Sequence, residues 1–142
     1  MIALGIVGLS KSDFSAIWQP VPKGLPGREM FVCLCAIISL VSGVGLLWQR
    51  TAAIAARVLL FWFVLWLLFM RLPGFFRGFT VDVYWPACQT AVMLAAAWAL
   101  YTWFATDWEK QRLGFAAGEN GLRIARVLYG LALMPFGLAH FT

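Results

Sequence analysis

Charge is what this chain has least of. Asp, Glu, Lys and Arg together make up 12% of its 142 residues, against roughly a quarter in a soluble globular domain. That shortage excludes a surface solvated on every side. The acids that exist, Asp13, Glu29, Asp82, Asp107, Glu109 and Glu119, fall in connecting stretches or at segment edges. A proton pump or cation transporter usually places an acid inside its bundle, so their position argues against that class. Also missing are H-E-x-x-H, G-x-S-x-G, a Gly-rich phosphate loop and a pair of close carboxylates. No catalytic residue and no metal set is therefore assigned.

Cysteine is sparse as well. Cys33, Cys35 and Cys88 form no C-x-x-C, no zinc spacing and no even-numbered framework, so they read as small buried hydrophobes. The net charge of +5 comes from basic residues scattered at segment ends, among them Lys11, Lys23, Arg28, Arg50, Arg71, Arg77, Lys110, Arg112 and Arg123. They make no patch interleaved with polar residues, which excludes nucleic acid as a partner. Placed so, they orient membrane helices and meet anionic lipid heads. The first residues, MIALGIVGLSKSDF, lack the basic start and small-residue cleavage site of a signal peptide.

What the chain does have is long apolar runs. Hydrophobic residues make up 63% of it. Between Arg50 and Arg71 the only charge is Arg57, and similar runs come after Glu29, Asp82 and Gly121. A helix needs ~20 such residues to cross ~30 Å of hydrocarbon. The expectation is an all-α, polytopic transmembrane bundle forming one integral-membrane domain over residues 1–142, multi-pass in the cell membrane. Four long membrane helices are predicted at about 29–49, 51–71, 83–105 and 122–142, after a short apolar half-helix at about 1–10.

The connections are legible too. Pro20, Pro22 and Pro26 with Gly24 and Gly27 exclude a regular helix, and Phe14 and Trp18 suit a loop at headgroup level. Pro73-Gly74 reads as a sharp stop, and residues 106–121 read as the longest polar loop. Trp85 at one end of the fourth long run and Trp103 and Trp108 at the other fit an aromatic belt. Nearly equal numbers of basic residues flank the two sides, and the 106–121 loop is assigned to the cytoplasm. Small residues, Ser39 and Gly43 above all, lie four apart on one helix and invite a close neighbour. The bulky set Phe61, Trp62, Phe63, Trp66 and Phe69 reads as lipid-facing or core-filling.

Three polar residues stand out within or beside the apolar runs. Arg57 lies ~9 Å inside its segment by helical rise. It either snorkels to the interface on its own alkyl stem or faces the bundle and holds a lipid head or a quinone carbonyl. Arg126 has the same two readings, because Ala125-Arg126-Val127-Leu128 repeats Ala56-Arg57-Val58-Leu59. His140 is the only histidine, either a hydrogen-bonded interfacial residue or a proton or quinone contact. Pro135 should kink the last helix, which membrane helices tolerate.

The stretch GLRIARVLYGLALMPFGLAHF (121–141) resembles a signature of the DoxX-like membrane proteins. DFSAIWQPVPKGLPGRE (13–29), GVGLLWQRTAAIAARVLLF (43–61) and LWLLFMRLP (65–73) resemble that family's amino-terminal half. The resemblance implies a small helical bundle, a quinone as candidate cofactor for some members, and a chain that is a truncated or partial member. His140 is the one polar residue of the signature to test.

Three functional expectations result. The first is an accessory or anchoring subunit associated with membrane redox chemistry, in contact with membrane lipid and with a redox partner subunit or further copies of itself. The second is a quinone-binding oxidoreductase subunit using Arg57, Arg126 or His140. The third is a small-solute carrier, for which no broken half-helices line a midplane site.

Overall fold

The computed structural model describes residues 1–11, 26–76, 78 and 80–138. Of these, 88% are helical and none lies in a strand. In chain order the elements are α1 (Ile2–Lys11), α2 (Arg28–Leu47), α3 (Gln49–Trp66), a π-helical turn (Leu67–Arg71), α4 (Leu72–Phe75), α5 (Val81–Phe104), α6 (Asp107–Arg112) and α7 (Gly118–Leu138). Lipid offers the backbone no hydrogen-bond partner, and a helix meets that demand within its own segment.

Among the described residues, three stretches are long and apolar enough to cross a membrane: Arg28–Leu47, Gln49–Phe75 and Val83–Phe104, of 20, 27 and 22 residues. The all-helical class is thus as expected, and three of the expected long spans meet the requirement by length and composition. The last helix, α7, has 21 residues but carries Arg123 and Arg126 in its first half and is not one of the three.

The chain divides within α3 into two compact units, residues 1–59 and 60–142. In the first unit, α1 lies antiparallel on α2 through small residues. A Cβ added at Gly43 would come within 2.8 Å of Ile2, and one at Gly5 within 2.7 Å of Leu40 Cβ. The buried face of α2 (Val32, Cys35, Ala36, Ser39, Ser42 and Gly43) recurs at helical spacing. Backbones that approach so closely gain the van der Waals contact that drives association in lipid. Trp48 alone separates α2 from α3, in an extended conformation. The Thr51 hydroxyl donates to the Gly45 carbonyl at 2.8 Å and the Trp48 carbonyl at 3.2 Å, closing the reversal.

In the second unit α5 and α7 run antiparallel. Trp85 packs edge-on against Phe136, with ring centroids 4.6 Å apart, and at the other end Gly121 faces Thr102. Buried residues of α5 fall on two stripes, Ala87, Thr90, Leu94, Ala97 and Tyr101 on one, Cys88, Ala95 and Thr102 on the other, which makes it enclosed on more than one side. Tyr101, Ala105 and Ala117 form a buried cluster with Leu60 and Trp98 packed against it. The indole of Trp98 donates to the Ala116 carbonyl at 2.8 Å, anchoring the approach to α7.

Two local expectations change. Pro73-Gly74 is no stop: the helix continues through α4 to Phe75. The π turn before it explains why. Leu72 donates its N–H to the Leu67 carbonyl, a wider ring than in an α-helix, and Pro73 then sits in the first turn of α4, where its missing N–H is no loss. The 106–121 stretch is not all loop either. Thr106 and Glu109 form a reciprocal capping box that starts α6, a T-x-x-E pattern visible in the sequence. The bulky set of α3 and the π turn divides both ways, Phe63 and Trp66 buried, Phe61 and Phe69 exposed. Trp103 and Trp108 are exposed near the 106–121 end of α5, and α7 runs through buried Pro135. The proline-rich connection holding Phe14 and Trp18 lies outside the described residues.

Candidate functional site

Each singled-out polar residue has a distinct setting. Arg57 is half-buried on α3 in the first unit. Ile54 and Val58 of the same helix, though not Arg57, line an apolar groove of about 400 Å³ formed by α2 and α3, with Val41, Gly45 and Trp48 opposite. Ser39 and Gly43 are both buried, Gly43 against Ile2 of α1. Arg126 lies in the second unit and is exposed on α7. His140 lies outside the described residues. Among the described residues, no three of His, Cys, Asp and Glu come together as a metal-holding group.

The second unit holds a polar pair that the sequence did not single out. Arg71, last residue of the π turn, is half-buried, and its Nε–H donates to Thr90 Oγ1 of α5 at 3.4 Å. Thr90 is 1% exposed, so its hydroxyl is fixed by protein alone. That hydroxyl in turn donates to the Pro86 carbonyl at 3.0 Å, one helical turn back. The donation turns an oxygen lone pair towards Arg71. The Nη2 of Arg71 is shut off from solvent and has no hydrogen-bond partner among the described residues. A guanidinium carries five N–H donors, so this one has capacity to spare. Leaving a charged donor unsatisfied in a buried place costs more than leaving a neutral one.

An apolar groove of about 360 Å³ is lined by the chain neighbours of this pair, Leu72 and Ala91, though not by Arg71 or Thr90 themselves. Leu67 and Leu72 line it from the Arg71 side, Tyr84 and Cys88 from α5, and Leu128 and Leu131 from α7. Ala87 and Ala91, which bracket Thr90 along α5, line it too. Its volume falls in the range of small-molecule sites, which are mostly apolar with a few placed polar groups.

Sequence reasoning counted Arg71 among flanking charges because nothing local distinguishes it. Its partner lies 19 residues away, across the turn after α4. The one available signal was Thr90 four residues after Pro86, a spacing that lets a hydroxyl bond back to the proline carbonyl.

No family model, no curated protein and no solved structure matches the chain.

Proposed function

We propose that the chain is a multi-pass cell-membrane protein of the DoxX-like type, with α7 as a fourth span, acting as an accessory or anchoring subunit in membrane redox chemistry. One observation carries the membrane part: large apolar side chains stand exposed along every long helix. Val41 on α2, Phe61 on α3, Trp103 on α5 and Val127 on α7 are each more than half exposed. Exposed apolar area on that scale is met in soluble monomers only at interaction sites. Lipid or neighbouring helices suit it. Support for α7 as a span is its 21-residue length and its long contact with α5. Arg123 and Arg126, near its start, are exposed and positioned to snorkel. The redox association rests on the family resemblance of the sequence.

Native mass spectrometry of the protein extracted gently from its own membranes tests this reading. A companion redox subunit held to a ligand-free chain is the expected result. A chain that runs alone, with no companion under any mild extraction, overturns the anchoring role.

A second reading, a quinone-binding subunit, draws on the groove lined by Ile54 and Val58, near Arg57 along α3 though not lined by it. An isoprenoid tail along Ile54 and Val58 would suit that groove, with Arg57 as the nearby cation for a ring carbonyl. Arg57→Ala should then at least halve the quinone that co-purifies with the protein. Unchanged quinone content rejects the assignment.

A further inference from the structure

We infer that Arg71, Thr90 and the adjoining groove of the second unit form a binding site for an anionic phospholipid. The phosphate sits on the Arg71 guanidinium and one acyl chain lies along the groove. The inference rests on the membrane reading above but assigns a site and a ligand class that reading does not contain.

Charge comes first. Among the described residues, Arg71 has a buried Nη2 with no acceptor and only one hydrogen bond, a long one, through Nε. Nη2 itself is closed off, so a phosphate oxygen meets the guanidinium on its open side, in a charge-assisted bond of the strong kind. The residue is half-buried, so it keeps an open side from which a headgroup can arrive.

Depth comes second. The span Gln49–Phe75 has 27 residues, or ~40 Å of helix against ~30 Å of hydrocarbon. Arg71 lies four residues before its end, ~6 Å along the axis. That places the guanidinium near the level where phosphates sit. Tyr84, half-exposed on the groove wall, has the amphipathic character found at that level.

Shape comes third. The groove is lined by Leu72, next to Arg71, and Ala91, next to Thr90, and runs along Leu67, Cys88, Leu128 and Leu131, all without charge. A tail fits such a wall and a free phosphate ion would gain nothing from it. Thr90 acts as a positioning residue, since its bond to the Pro86 carbonyl fixes the oxygen that holds Arg71 Nε.

The test uses the full chain in nanodiscs of phosphatidylcholine containing a minor fraction of phosphatidylglycerol, with retained lipid counted by native mass spectrometry after release. Wild type should keep phosphatidylglycerol in preference to phosphatidylcholine by about tenfold or more, the scale of a charged hydrogen bond. Arg71→Gln should abolish the preference. Thr90→Val, which keeps side-chain shape, should weaken it, so the answer does not depend on Arg71→Gln folding. Ala87→Phe, filling the groove, should lower retention of both lipids. Equal retention of the two lipids by wild type, or a preference that survives Arg71→Gln, overturns the inference. An uncharged molecule held in the groove and expelled by Ala87→Phe would also overturn it. A chain recovered from the aqueous fraction would instead overturn the membrane reading itself.

Discussion

At the residue scale, single side chains settle local questions in the second unit. The Trp98 indole closes on the Ala116 carbonyl at 2.8 Å, tying α5 to a residue 18 positions further along the chain. Trp98→Phe keeps an aromatic ring and loses the donor, leaving a part-buried carbonyl short of a partner. The expected cost is about 0.5–1.5 kcal/mol of stability, read as a lower melting temperature in detergent. No change in melting would mean that water or lipid replaces the donor freely. Thr106 is the second case. Its hydroxyl and the Glu109 carboxylate satisfy each other's backbone amides. Thr106→Ala should cost about 1 kcal/mol locally. Faster hydrogen exchange at the amides of Lys110 and Leu113, which bond to the carbonyls of Thr106 and Glu109, would register it. Protection equal to wild type would show that α6 is held by something other than its cap.

At the scale of elements, glycine decides how α1 sits on α2. No space exists for a side chain at Gly43, where even a Cβ would press on the backbone of Ile2 at 2.8 Å. Gly43→Leu should push α1 off, at about 1–3 kcal/mol. Protease cleavage within residues 12–25 should then release a fragment that no longer stays with the rest. Retention of α1 after cleavage would count against the packing. Such small-residue faces are readable in advance, because Ser39 and Gly43 share one side of a helix by spacing alone. Long spans are readable for a similar reason, since lipid demands unbroken apolar length. The Arg71–Thr90 pair was not readable, because two chain segments must fold back before they meet. The π turn left no local mark beyond Pro73, whose usual meaning is a stop. By contrast the cap of α6 was present as Thr106-x-x-Glu109, and polarity of the surrounding stretch obscured it.

At the scale of the whole molecule, the outward apolar residues set behaviour before any ligand does. Met30, Phe76 and Trp103 are each at least 80% exposed. The chain should remain in the membrane pellet through alkaline carbonate washing, and appearance in the supernatant would sink the membrane reading. The π turn at Leu67–Arg71 gives a less obvious consequence. One residue more than an α-helix needs is accommodated there, so the turn resets the angular phase of the helix beyond it. Were the same residues wound as a plain α-helix, those beyond the turn would swing by about 100° around the axis. Arg71 would then point away from Thr90 while circular dichroism recorded the same helix content. The extra residue works like a vernier, setting the compass bearing of a cation without altering the length or the apolarity of the rod that carries it.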